Sequence, residues 1–381
     1  MPDAEPIVIK SEFNNKMQNS SHFAFDLLKA TDKHETGENI VISPLSVDMC
    51  LGMAWNGAGG DTKTEMQSAL RNDGYTPEDI NEYAKTLREA LLAVDPSTRI
   101  AIANSIWYRA GLAVKKPFID INKLNYNAEV RNVDFAAPQT LDQINNWCAD
   151  NTNNRIPNIL EEIDPYAMLY LINAVYFKGI WVSQFDKNKT VDGTFNSEKG
   201  TQQVKMMKQE NPFPYTEDLN TRYLEMPYGN KAFSMVVMLP QSGKNVDDVI
   251  NNLNPDSWNK AMEHLSEHTI NIIMPRFKIE AKYEMEKLIL PEMGMKKAFI
   301  AEQADFSNIA PITLYISHVT HKTFIEVNEE GTEAAAVTAS GVFTNSAPMI
   351  TSFHVDQPFV FAIREKSTGV ILFIGKIGVI K

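Results

Sequence analysis

Glu329-Glu330-Gly331-Thr332-Glu333-Ala334-Ala335-Ala336-Val337-Thr338-Ala339-Ser340-Gly341-Val342-Phe343-Thr344-Asn345 lies between two strand-like segments, Thr323 to Val327 and Pro358 to Arg364. The tract alternates as a strand does, yet it carries almost no side-chain bulk. The stretch from Glu329 to Gln357 is longer than a compact domain normally leaves without structure of its own. A solvated linker would be rich in charge, Pro and Ser, whereas Thr332 to Thr344 has one charge, Glu333, and no Pro. These residues read as a strand built to move.

The rest of the chain says what such a strand would belong to. With 381 residues, 44% of them apolar, the chain can bury a large core. Pro and Gly are spread along it, and no linker, repeat or low-complexity tract divides it, so one domain over residues 1–381 is expected. No apolar run approaches the roughly 18 to 20 residues that span a bilayer, which predicts a soluble protein; a monomer is expected. A formal charge of −12 argues against nucleic acid as a main partner. Cys50 and Cys148 sit in apolar, helix-like surroundings, as buried reduced thiols do. The N-terminal Met-Pro-Asp-Ala-Glu-Pro lacks the basic and apolar regions of an export signal. The protein is therefore cytoplasmic, or it is extracellular, periplasmic or at the cell surface after removal of a leader.

Element signals give an α+β pattern. Phe13, Met17, Ala24, Leu27 and Leu28 share one helical stripe. Thr76-Pro77-Glu78-Asp79 is a helix start with cap, first-turn Pro and acidic first turn, and Ile80, Leu87, Leu91 and Val94 mark the buried face. Thr140 with Gln143 has capping-box spacing ahead of Ile144, Trp147 and Cys148. Strands are expected at Met168 to Phe177, Phe233 to Leu239, Thr269 to Met274, Thr323 to Val327, Pro358 to Ile363 and Val370 to Ile380. Helices cluster early and antiparallel-looking strands late, without the alternation of a doubly wound parallel sheet.

Enzyme chemistry finds little support. Gly57-Ala58-Gly59-Gly60-Asp61-Thr62-Lys63-Thr64 has Thr62 where a phosphate loop requires its second Gly, and Val47 to Trp55 before it looks helical where a strand is needed. It reads as a tight connection between two helices. His264 and His268 are spaced to share a helix face, but no third metal ligand is evident and solvated histidines are expected. Ser43, the one serine in a fixed-looking context, is followed by Pro44 and not by an esterase elbow. His318 and His321 flank the start of the strand that feeds the mobile tract, where a histidine tying two strands together could control their parting. No cofactor or metal is called for.

Taken in order, the residues resemble the serpin family from Ser11 to Lys381. The blocks that carry the resemblance begin with Asn39-Ile40-Val41-Ile42-Ser43-Pro44-Leu45-Ser46, Gly57 to Thr62, Ile144-Asn145-Asn146-Trp147 and Asn173-Ala174-Val175-Tyr176-Phe177-Lys178-Gly179-Ile180-Trp181. Later ones are Met226-Pro227-Tyr228, Pro275-Arg276-Phe277-Lys278-Ile279, Gly294 to Phe299, Ala304-Asp305-Phe306-Ser307 and Glu329 to Ala336. The resemblance implies about nine helices, three mostly antiparallel or mixed sheets, and an exposed reactive loop over about 329–357. It further implies a suicide-substrate inhibitor of serine endopeptidases, and of cysteine ones too in some members, with no catalysis of its own. Serpin loop insertion is a known case of strand addition and strain release.

The resemblance assigns roles residue by residue. Glu329, Glu330, Gly331, Thr332, Glu333, Ala334, Ala335, Ala336, Val337 and Thr338 form the hinge. Ser43, Ser46, Asn173 and His321 correspond to a hydrogen-bonded shutter under the sheet, and Trp181 and Arg276, with Glu329, to the place where the loop enters. On an inserting strand Thr332, Ala334, Ala336, Thr338, Ser340 and Val342 would face inward; all six are small or β-branched and none is charged. Family spacing puts the scissile bond at Asn345-Ser346, with Phe343 or Thr344 as alternative bait. Elastase-, subtilisin- or chymotrypsin-like targets follow, and trypsin-like ones are disfavoured because no Lys or Arg lies between Glu329 and Gln357. The rival on the same fold is a non-inhibitory binding or carrier protein, which would be expected to carry bulky, charged or Pro residues in the hinge.

Overall fold

The computed structural model describes residues 2–332 and 350–380. Its helices are α1 (Asn14–His34), α2 (Pro44–Trp55), α3 (Gly60–Ala69), α4 (Pro77–Ala93), α5 (Lys116–Tyr126), α6 (Gln139–Asn151), α7 (Val246–Asn252), α8 (Pro255–Glu263) and α9 (Ile289–Glu292). The strands are β1 (Asn39–Ile42), β2 (Arg99–Arg109), β3 (Glu129–Val133), β4 (Leu169–Ile180), β5 (Val191–Ser197), β6 (Gly200–Glu217), β7 (Thr221–Pro227), β8 (Phe233–Pro240), β9 (Ser266–Pro275), β10 (Phe277–Glu284), β11 (Thr320–Asn328), β12 (Gly331–Thr332), β13 (Thr351–His354), β14 (Phe359–Glu365) and β15 (Ile371–Ile377).

Six strands form one sheet in the order β10-β11-β12-β4-β2-β3. The rest follow the order β1-β15-β14-β8-β7-β6-β9-β13, with β5 added on β6. The expected second and third sheets are thus continuous, because the long β6 pairs with β5 and β9 along most of its length and with β7 at its end. The main core lies between the two assemblies and includes Phe177, Tyr228, Met235, Phe277, Ile325, Phe361 and Phe373. A smaller core holds α6 on the opposite face of the six-stranded sheet, through Ile144, Trp147 and Cys148 against Trp107, Tyr170 and Ile172. That sheet therefore has both faces covered, which is why β4 reads as a nearly continuous apolar run.

Local signals account for much of this. Thr76 and Asp79 form the reciprocal capping box of α4, with Pro77 in the first turn. Gly57 and Gly59 make the tight link between α2 and α3. A Cβ on Gly57 would lie 2.2 Å from Ile309, and one on Gly59 would lie 2.6 Å from the Asp305 carboxylate. Cys50 and Cys148 are free thiols, and burial pushes both up to about 12.

Three expectations need correction. Thr140 is inside α6 and its hydroxyl donates to the Asp134 carbonyl at 2.6 Å, so it does not cap the helix from the position its spacing suggested. His264 and His268 do not share a helix, since α8 ends at Glu263 and His268 is in β9. No cluster of three metal-ligating side chains occurs among the described residues. The early part of the chain is less helical than its periodicity predicted, because β2 runs through the middle of it and pairs with β4 over ten residues.

Candidate functional site

The tract that starts at Glu329 enters the six-stranded sheet at Gly331. β12 lies between β11 and β4, antiparallel to both, with Thr332 opposite Val327 and Gly179, and Gly331 opposite Asn328 and Ile180. At this level β4 and β11 are parallel to each other and stand two strand spacings apart, about 9.6 Å. Among the described residues they share no ladder of their own. Only Gly fits at 331: φ is +151°, and a Cβ would lie 2.1 Å from the Gly179 carbonyl oxygen.

Polar and aromatic groups line this entrance. Trp181 stacks on Tyr228 with ring centroids 4.2 Å apart and planes 14° from parallel. Its indole N–H donates to the Asn328 carbonyl at 3.0 Å, and its backbone N–H to that of Glu330 at 2.9 Å. The Tyr228 hydroxyl and Thr332 Oγ1 are 2.6 Å apart and both side chains are buried. Burial pushes ionisation of the Tyr228 phenol well above the usual tyrosine range.

The Glu329 side chain, only 2% exposed, accepts from Arg276 Nε at 2.8 Å and from Thr190 Oγ1 at 2.5 Å, while its carbonyl accepts from the Phe185 N–H at 2.9 Å. This is more than a surface ion pair, because the carboxylate is out of water even though Arg276 is 45% exposed. Glu330 pairs with Lys187 beside it.

A second polar cluster sits lower in the same seam. Ser43 caps α2, its Oγ accepting from the Ser46 N–H at 3.2 Å, and its own N–H donates to His321 Nε2 at 2.9 Å. Ser46 Oγ donates to Asn173 Oδ1 at 2.5 Å, and Asn173 Nδ2 donates to Asn104 Oδ1 at 2.7 Å. Burial pushes His321 down to about 3, so the ring is neutral, and acceptance at Nε2 leaves its proton on Nδ1. The Ser43 hydroxyl is engaged in a helix cap and His321 faces a backbone amide. The pair has no nucleophile–base geometry, which removes the hydrolase reading.

The structure thus gathers the sequence-derived residues at two levels. Trp181, Arg276, Glu329, Glu330, Gly331 and Thr332 meet at the entrance; Ser43, Ser46, Asn173 and His321 meet below. Glu333, Ala334, Ala335, Ala336, Val337, Thr338, Phe343, Thr344, Asn345 and Ser346 lie outside the described residues. Sequence reasoning passed over Tyr228, Thr190, Lys187 and Asn104. Tyr228 carries no role of its own in the sequence beyond its place in the block Met226-Pro227-Tyr228, and the other three have no local feature to set them apart. Beyond the tract, β13 runs parallel to β9 from Thr351–Ile270 to His354–Ile273.

The sequence profile described as Serpin (serine protease inhibitor) matches residues 18–379. An uncharacterized serpin-like protein of Thermococcus kodakarensis is 34% identical, over 99% of this chain and 88% of its own. The leukocyte elastase inhibitor of Equus caballus is also 34% identical, over 94% of this chain and 97% of its own. Among solved structures, the thermophilic serpin tengpin in its native state superposes with a TM-score of 0.89 at 32% identity, covering 99% of this chain and all of tengpin. Tengpin's latent state superposes with a TM-score of 0.84. The family is one of protease inhibitors and not of enzymes, and on sequence and fold alike this chain belongs to the serpin family.

Proposed function

We propose that this chain is a suicide-substrate inhibitor of endopeptidases that traps the acyl-enzyme by inserting its cleaved loop between β4 and β11. The observation that carries this reading is β12: Gly331 and Thr332 of the tract already pair with both flanking strands, and Thr332 points to the core side at Tyr228. Continuing that register puts Ala334 opposite Phe177 and Ile325, Ala336 opposite Val175 and Thr323, and Thr338 opposite Asn173 and His321. The inward positions carry no charge, so insertion meets no desolvation barrier of several kcal/mol. The lower polar cluster, in which Ser43 bonds His321 on one side of the seam and Ser46 bonds Asn173 on the other, would receive a threonine hydroxyl.

The chemistry belongs to the target. Its serine or cysteine attacks the carbonyl of the bait residue, an acyl bond forms, the peptide C–N bond breaks, and the new amine leaves with a proton. About 14 inserted residues at roughly 3.3 Å each would then carry the tethered protease some 46 Å. Catalytic geometry tolerates shifts of only about 1 Å, so distortion of the oxyanion hole stalls attack by water on the acyl bond. Each molecule is consumed with the protease it holds. We assign the scissile bond to Asn345-Ser346, with Phe343 or Thr344 as bait for chymotrypsin- or elastase-like enzymes. The kinship with a leukocyte elastase inhibitor supports an elastase-like target.

Incubation with elastase-, subtilisin-, chymotrypsin- and papain-like proteases tests this. A denaturant-resistant covalent adduct is expected, with the bait residue identified by mass spectrometry. Cleavage by every protease with no adduct and no inhibition would refute it and favour a non-inhibitory binding protein.

A further inference from the structure

At the foot of the seam, a cavity of about 190 Å³ opens between the start of β4, the segment leading into β11, and α2. Its walls include Leu169, Leu171, Ile316 and Val319, which pack against the main core yet are only half-buried. Tyr166 and Tyr315, 83% and 48% exposed, stand at the mouth. The carboxylate and the imidazole of the lining are already engaged: Asp164 accepts from the Tyr166 N–H at 2.8 Å, and His318 lies 3.6 Å from Glu286. An apolar cavity of about 150 Å³ suffices to hold benzene.

Chain geometry limits how far down the seam an uncut chain can reach. Seventeen residues, 333 to 349, join Thr332 in one sheet to the start of β13 in the other. With both ends held, a segment going down the seam must also come back, so no more than about eight residues could enter. Continuing the β12 register, residue 340 reaches Leu171 and Val319, residue 342 reaches Leu169 and Ser317, and residue 344 reaches Ala167 and Tyr315. The deeper walls, at Leu169, Ser317, Ala167 and Tyr315, coincide with positions 342 and 344, which only a cut loop can reach.

We propose that this cavity is a binding site for a small uncharged aromatic molecule, and that its occupant competes with completion of strand insertion. The second clause rests on the inhibitor reading; the first does not. Ligand size follows from the volume, aromatic character from the tyrosines at the mouth, and neutrality from the engaged charges.

The experiment titrates 2-naphthol into the intact full-length protein by calorimetry. Saturable one-to-one binding is expected, weakened at least tenfold in both Leu171→Trp and Ile316→Trp. Should either variant fold poorly, transferred nuclear Overhauser contacts from 2-naphthol to Leu and Ile methyl groups of the parent locate the site instead. Absence of saturable binding, or binding indifferent to both substitutions or located elsewhere, overturns the site. Saturating 2-naphthol should also lower the fraction of protease trapped and the rise in melting temperature that follows loop cleavage. Binding with both quantities unchanged, or with no stabilisation on cleavage to begin with, overturns the competition and leaves the site standing.

Discussion

Replacing Thr332 by Val preserves the shape of the side chain and removes one oxygen, the partner 2.6 Å from the Tyr228 hydroxyl. Tyr228 is fully buried, so its phenol is left without that bond inside the core. An unpaired buried hydroxyl costs about 1–3 kcal/mol; about 2 kcal/mol is a factor of roughly 30 in the equilibrium between seated and unseated β12. Hydrogen exchange at the Trp181 and Phe185 amides reads that equilibrium directly, because both donate to the tract, at the Glu330 and Glu329 carbonyls. Their exchange should quicken about 30-fold in Thr332→Val, and comparably in Tyr228→Phe, which orphans the other oxygen. The double variant removes both polar atoms and should exchange no faster than either single. Additive effects in the double variant would refute the coupling, and with it the idea that Tyr228 holds the hinge in place.

The remaining predictions address the same seam from other sides. His321 takes up its second ring proton only below about pH 3 in the fold but already below about 6.5 when unfolded. The unfolded state therefore binds more protons between those values, and stability should fall as pH drops from about 6.5, by up to about 1.4 kcal/mol per unit. His321→Gln should flatten that part of a melting-temperature profile, and an unchanged slope would contradict the assignment. Glu329→Lys breaks two charge-assisted hydrogen bonds and places a cation beside Arg276, a loss of about 3 kcal/mol after allowing for the exposure of Arg276. Size-exclusion chromatography should show polymer, or a melting scan a latent form, and a monomer of parental stability would count against the gate. Ala336→Arg directs a charge toward Val175 and Thr323, so it should still be cleaved by a target protease yet trap several-fold less of it, read as the adduct fraction on a gel.

The sequence disclosed those parts of the fold whose signals are local. The cap at Thr76 and Asp79 and the apolar run of β4 could both be read from neighbours in the chain. The position of β2 could not, because Arg99–Arg109 lacks clean alternation and owes its strand character to pairing with β4 on one side and β3 on the other. Buried Lys16 was equally invisible: it lies on the apolar side of α1 and donates to the Leu70 carbonyl at 3.1 Å, a partner far away in sequence. Within the site, Arg276, Glu329 and His321 were found through the family pattern. Thr190 and Tyr228 matter only because the fold carries them to the tract from separate elements, and no spacing rule encodes that meeting.

The pairing of β13 with β9 has a consequence for time. Thr332 is held in one sheet and Thr351 in the other, so an uncut chain can fill the seam completely only by first stripping β13 from β9. Under the proposed mechanism, four residue pairs and one further bond from the Val355 N–H to the Ile273 carbonyl at 2.8 Å would stand between the intact protein and insertion of the uncut loop. The lifetime of the uninserted form would then be set by the unfolding rate of one short edge strand, rising steeply with temperature. Weakening that ladder should shorten the lifetime of the stored protein while leaving the reaction with a fresh protease nearly untouched.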